Sequence, residues 1–290
     1  MGAPAARVGE MLTDLMLAFE REQRSVWRFV PAWVPGAHRR RAAAHTEELQ
    51  ALVLSLVAER RQRPAGDDLL WRLLEARDED GRGMDDAQVR DEALTLFLAG
   101  HETTALALSY ALWLLALHPE AQAAVRAEGA ALGRRPGAAD LGALPYTAAV
   151  VQEVLRLYPP AWGFGRETVR PVTLGGRTLP AGTHVVTMPW ILHRDPRWWR
   201  EPARFRPERW LPGPGGAPAE TASLPRFAYV PFGGGPRVCI GSHFATMEAV
   251  LALSVLVAER RYRAVPGFAP KLVPSVTLRA RDGVWVRVEG

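Results

Sequence analysis

The feature that most limits the fold is a long stretch with no proline. From Asp85 to His118 none occurs, and Asp85 with Gln88 three residues on has the pattern of a reciprocal helix start. One helix over 86–118 would hold about 32 residues and run about 48 Å at 1.5 Å per residue. It is apolar on most faces, through Leu94, Leu96, Phe97, Leu98, Leu106, Leu108, Leu112, Trp113 and Leu114, so it should cross the middle of a domain. The 290 residues suit one large domain or two modest ones, and 48% hydrophobic with 23% charged residues is enough to bury a real core.

The rest of the first half is helical in pattern. Leu49, Leu52 and Leu56, with Val53 and Val57 beside them, predict a helix over His45 to Arg61 that places Arg60 and Arg61 at its C-terminal end. A shorter helix is expected over Asp67–Arg77, a loop over Asp78–Gly83, and helices over Pro119–Leu132 and Tyr146–Leu157. The second half carries short strands: strand, Gly175-Gly176 turn and strand over Thr168–Met188, and a hairpin over Val276–Val288 around Asp282-Gly283. Gly213–Ala222 is read as a surface loop. The fold class is therefore mainly α with small β-sheets, helices and strands segregated along the chain (α+β).

Thirty-six Lys+Arg against 31 Asp+Glu give a formal charge of +5, and Lys271 is the only lysine. The arginines are spread along the chain with no recognition motif beside them, so no nucleic-acid partner is expected. Met1–Glu10 does not read as a signal peptide, and the longest uncharged apolar stretch, Thr103–Leu117, falls below the 18 or so residues of a membrane span. A soluble, cytoplasmic protein is expected. The single cysteine, Cys239, excludes an intrachain disulfide.

Cys239 sits in Phe232-Gly233-Gly234-Gly235-Pro236-Arg237-Val238-Cys239-Ile240-Gly241, followed by a helical pattern from Ser242 to about Val257. Three glycines let the backbone approach a bulky group and leave N–H groups free to face a sulfur. The helix N-terminus and Arg237 favour the thiolate, the form of cysteine that binds metal. A buried structural thiol and a thiol nucleophile remain as alternatives, although His243 is the nearest histidine and no dyad is complete.

The string matches the haem-binding signature of the cytochrome P450 family at Phe232, Gly235, Arg237, Cys239 and Gly241, and the chain resembles that family. The resemblance implies haem b (iron protoporphyrin IX), with Cys239 as axial iron ligand, Phe232 packed near it and Arg237 on a propionate. A thiolate ligand pushes electron density toward iron and favours O–O cleavage.

Further motifs fit. Ala99-Gly100-His101-Glu102-Thr103-Thr104 is a polar island in an apolar helix, which by itself could equally face a neighbouring helix. It resembles the family's oxygen-binding groove, with Glu102 and Thr103 delivering protons and Ala99 and Gly100 over the haem. Glu153 and Arg156, three apart on one helix, would ordinarily form a weak surface pair. They match the family's E-x-x-R element, and Phe205-Arg206-Pro207-Glu208-Arg209-Trp210 matches F-x-P-E-R-F with Trp210 at the last position, implying a buried structural triad of Glu153, Arg156 and Arg209. His193, in His-Arg-Asp-Pro, is read as structural. Arg166 takes the place of a second propionate contact, or is a plain strand-start arginine. Pro160–Phe164, with Ala161 and Trp162, and the region of Val276 correspond to substrate-pocket stretches. The wording is that of bacterial members akin to fatty-acid hydroxylases.

The family's W-x-x-x-R helix finds no match: Trp27 is followed four residues later by Pro31, and Trp33 by Ala37. The chain resembles the C-terminal majority of the P450 fold, lacking the N-terminal sheet and first helices. It is expected to form one partial domain over 1–290, helical over 1–160, with strands, haem-binding loop and proximal helix over 161–290. The expected activity is a monooxygenase acting on a small apolar organic substrate with O2, its electrons drawn from a separate ferredoxin or flavoprotein. The alternative is a truncated, inactive or haem-poor fragment. A third reading, haem chemistry without monooxygenation, is opposed by Glu102-Thr103.

Overall fold

A computed structural model describes residues 2–24, 34, 36–217 and 219–289. Trp27, Pro31 and Trp33 lie outside them. Two compact units follow the chain, the first ending at Glu102 and the second beginning at Thr103.

In the first unit, α1 (Gly2–Arg24) packs on α2 (Ala37–Arg61), burying Val8, Met11 and Leu12 against Leu49. Arg7 grips Glu48 with two hydrogen bonds, 3.1 and 2.8 Å, on the exposed side of this pair. The buried stripe of α2 is His45, Leu49, Val53 and Val57, a strict i, i+4 row. Leu56, expected on the core side, is 46% exposed, because it lies off the row that the neighbouring helices cover. The short α3 (Leu69–Glu75) starts where the Asp68 carboxylate accepts from Trp71 N at 2.9 Å.

The long helix, α4, spans Asp86–Leu117. Its start is the predicted capping box: Gln88 N donates to Asp85 Oδ1 at 2.8 Å and Asp85 N to Gln88 Oε1 at 3.1 Å. It stops one residue short of the expected end, because His118 leaves helical geometry just before Pro119 opens α5 (Pro119–Ala131). The expected burial holds for the C-terminal half, where Ala107, Tyr110, Ala111, Trp113, Leu114 and Leu115 are buried. In the N-terminal half Leu94, Leu96 and Leu98 are half-buried, Leu94 and Leu98 against the core of the first unit, and Phe97 alone of the expected residues there is exposed.

The second unit continues from Thr103 through α5, α6 (Pro145–Leu157), α7 (Pro189–Leu192) and α8 (Ser242–Glu259). Val125, Val150, Val154, Leu253 and Val257 join Tyr110 and Leu115 in its core. By length and composition α8 could cross a membrane; Ala249, Val250, Leu253 and Val257 on it lie in this core.

All strands among the described residues follow residue 160 and form two-stranded antiparallel sheets. The Thr168–Met188 region is a hairpin inside a second pair. β2 (Val172–Leu174) and β3 (Arg177–Leu179) flank the glycine turn, and β1 (Phe164–Glu167) pairs with β4 (His184–Thr187). The hairpin expected around Asp282-Gly283 does not form. β7 (Leu278–Ala280) pairs with β6 (Leu272–Pro274), and β8 (Val286–Glu289) with β5 (Arg261–Ala264). The dipeptide still turns the chain, with Gly283 at φ 78°, but each flanking strand finds its partner earlier in the sequence.

Candidate functional site

Everything described next lies in the second unit unless stated. α6 is buried almost all round, so Glu153 and Arg156 are fully buried instead of solvated. Arg156 uses all five of its N–H donors. Two reach the Glu153 carboxylate at 2.8 and 2.9 Å, and three reach the carbonyls of His193 (2.9 Å), Pro202 (2.7 Å) and Arg204 (3.0 Å). Glu153 also accepts from Arg209 Nε at 3.1 Å, Arg206 N at 2.9 Å and Trp210 Nε1 at 2.9 Å. Such saturation is what allows a charged group to stay ionised away from water.

Two members of this cluster were missed. Trp210, noted only as a replacement for phenylalanine, contributes an indole N–H that phenylalanine lacks. Glu220, inside the presumed surface loop, accepts from Arg209 Nη1 at 2.9 Å and pairs with Arg206. Charge arithmetic could have found it: one carboxylate against two buried guanidiniums leaves an uncompensated positive charge.

The cysteine loop leaves from this cluster. His193 is fully buried, and its Nε2 accepts from Val230 N at 2.8 Å; Tyr229 Oη donates to the Gln152 carbonyl at 3.0 Å. Val230 O accepts from Gly233 N at 3.1 Å, and Cys239 N donates to Phe232 O at 3.0 Å, closing the loop on itself. Gly233 and Gly235 both stand at φ 74°, where a side chain is strained. A Cβ at Gly234 would sit 2.9 Å from the ring of Phe227, an exposed side chain that would have to shift. Past Gly241 the chain enters α8.

Cys239 is exposed, flanked by Val238 (52% exposed), Ile240 (88%) and Phe244 (64%). The thiol therefore stands on apolar surface and is not a buried structural one. Among the described residues no group of three or more His, Cys, Asp or Glu could hold a metal ion, so the loop offers a single sulfur. Phe232 is partly buried against the core, Gly241 half-buried and Arg237 exposed. Thr103 is half-buried on α4. In the first unit, Glu102 is half-buried and Ala99 and Gly100 are exposed on the same helix. Arg166 is exposed on β1 and donates to the Gly165 carbonyl at 2.7 Å.

The expected pocket segments are brought together. Leu278 N donates to Pro160 O at 2.9 Å, Trp162 Nε1 to Ser275 O at 2.8 Å, and Tyr110 Oη to Leu278 O at 2.9 Å. Ala161, Trp162 and Val276 thus share one edge beside α4, with Ala161 and Val276 exposed.

The cytochrome P450 family model matches residues 4–274. The chain belongs to the cytochrome P450 family. It is 40% identical over 254 residues to cyclooctatin synthase of Streptomyces melanosporofaciens, covering 86% of this chain and 54% of that protein. It is 40% identical over 238 residues to cyclooctat-9-en-7-ol 5-monooxygenase of the same organism, covering 81% and 50%. The solved structure of a retinoic acid-bound cyanobacterial CYP120A1 superposes with a TM-score of 0.83 at 31% identity, over 96% of this chain and 62% of that one. The chain spans about half the length of the curated relatives it matches.

P450 membership implies haem, and the loop suits it. Haem brings four ring nitrogens of its own and asks the protein for one axial donor on an apolar surface. Cys239, a lone exposed sulfur between Val238 and Ile240, offers that.

Proposed function

We propose that the protein is a haem-thiolate monooxygenase that inserts one atom of O2 into an apolar carbon skeleton. The overall change is substrate + O2 + two electrons + two protons → hydroxylated product + water. The observation that carries this reading is the exposed thiol of Cys239 in an apolar setting, on a loop clamped to a buried ion cluster.

Cys239 would hold the iron of haem b, Arg237 and Arg166 the propionates, and Phe232 would pack beside the sulfur. Gly235 and Gly241 shape the loop; Ala99 and Gly100 are exposed small residues of α4 that the family resemblance would assign to haem binding. When bound, haem supplies the binding and activation of O2. Glu102 and Thr103, both half-buried, are suited to pass protons from water inward: the Thr103 hydroxyl donates, and Glu102 restores its proton. Glu153, Arg156 and Arg209 touch no reactant. Their work is to hold the loop.

The substrate is proposed to be an unsaturated, terpene-like molecule, held by Ala161, Trp162 and Val276. Supporting this are the partly apolar edge formed there and the names of the relatives, one acting on cyclooctat-9-en-7-ol and another solved with retinoic acid. A separate ferredoxin or flavoprotein donates electrons, and the reaction takes place in the cytoplasm. The test is turnover of cyclic alkenols under 18O2 with a surrogate ferredoxin and reductase. One labelled oxygen in the product supports the reading, and unlabelled or absent product contradicts it. Thr103→Ala should divert electrons from product to peroxide, as expected for loss of a positioned proton-transfer group; unchanged coupling removes Thr103 from the relay.

A further inference from the structure

His193 touches both the ion cluster and the cysteine loop. Its carbonyl accepts from Arg156 Nη1 at 2.9 Å, and its ring Nε2 accepts from Val230 N at 2.8 Å. A backbone amide can only donate, so Nε2 is bare and the ring proton sits on Nδ1. The ring lies 5.1 Å from Tyr229 and 6.4 Å from Trp199, centroid to centroid, in a fully buried position. Burial opposes protonation of the ring most strongly, the cations Arg156 and Arg194 add to that, and the backbone of Arg156 and Leu155 acts the other way without reversing it. From Val230 the hydrogen bonds continue through Gly233 N to Val230 O and Cys239 N to Phe232 O. One side chain therefore stands at the root of the path that ends on the sulfur-bearing residue.

We propose that His193 is a positioning residue for Cys239: its imidazole fixes the Val230 amide and so sets where the cysteine loop leaves the ion cluster. The fold alone would not require this. A residue of similar volume could fill the space between Tyr229 and Trp199, but only an acceptor on this side chain holds the amide. The haem-thiolate reading enters only through the spectroscopic part of the test.

The experiment compares the wild type, His193→Gln and His193→Leu as full chains, with and without haem. Glutamine keeps an acceptor oxygen, whereas leucine fills the space without one. Amide exchange over Val230–Cys239 is expected to quicken about tenfold in the leucine variant, as for loss of one buried hydrogen bond, and to stay near wild type in the glutamine variant. Exchange over Arg204–Trp210 should remain at wild-type level in both. In the haem-loaded leucine variant, the ferrous CO complex should lose its thiolate-type Soret band at a higher pH than wild type, with rescue by glutamine. Loop exchange that is unchanged in the leucine variant, or equally accelerated in both, overturns the proposal. If neither variant folds, the 15N shifts of the wild-type imidazole decide: a protonated Nε2 overturns it and a bare Nε2 coupled to the Val230 amide supports it. If the wild type takes up no haem, the reading of Cys239 falls while the exchange and 15N measurements still judge His193.

Discussion

Two regions of the second unit carry the family's motifs, and they are built on opposite terms. Around Glu153 the chain pairs its charges internally: five donors meet one carboxylate, Arg156 has no N–H to spare, and Glu220 balances Arg209, whose Nη2 alone among the guanidinium nitrogens of Arg156 and Arg209 lacks a partner. Around Cys239 the chain completes only its backbone, while the thiol, Val238, Ile240 and Phe244 face outward. A region that pairs its charges inside the protein serves the fold, whereas the proposed function puts the exposed thiol of the other to use in binding. His193 and Tyr229 join the two.

The largest effect should come from Glu153→Ala. It leaves two buried guanidiniums without their shared carboxylate, a loss of about 3–5 kcal/mol, read as a fall in the denaturant midpoint or failure to fold. A change below about 1 kcal/mol would mean that the cluster is ornament and the contrast false.

Acid comes next. Burial, helped by Arg156 and Arg194, pushes His193 down from 6.5 to about 3. Between those values the unfolded chain binds a proton that the folded one refuses. Stability from this residue is therefore fully present above about 6.5 and is lost as the pH falls toward 3, by about 1.4 kcal/mol per unit. Denaturant midpoints at several pH values should fall more steeply in the wild type than in His193→Gln, and parallel curves would contradict the account.

Trp210→Phe restores the residue more usual in the motif yet removes one hydrogen bond to a buried carboxylate, so it should cost about 1.5 kcal/mol by chemical denaturation. A neutral result would show that Glu153 is satisfied without it. Smallest in stability is Cys239→Ser, expected within about 0.5 kcal/mol by the same assay, because an exposed thiol holds nothing together.

What was legible in the sequence follows the same division between local and distant causes. Asp85 and Gln88 are three residues apart, so the start of α4 could be read from the chain alone, as could its end before Pro119. The cysteine loop was legible because the positions that carry the family signature, Phe232, Gly235, Arg237, Cys239 and Gly241, all fall within ten residues. Partners across the sequence were not. Asp282-Gly283 marks a turn, but nothing near it shows that β8 pairs with β5. Glu220 looked like loop because its meaning lies in Arg209, eleven residues back, and Trp210 looked like a neutral replacement because its indole N–H matters only to a carboxylate on another element. Leu56 fits the helical period as well as Val53 does, and only packing against neighbours chose between them.

The account turns on Cys239 as the atom the loop exists to present. The most direct measurement is the difference spectrum of the reduced, CO-bound protein after loading with haem, taken for the wild type and for Cys239→Ser. A Soret band in the thiolate-ligated position that vanishes in the serine variant, with the fold intact by circular dichroism, is the predicted result. A wild type that binds no haem, or a serine variant that keeps the same band, would contradict it.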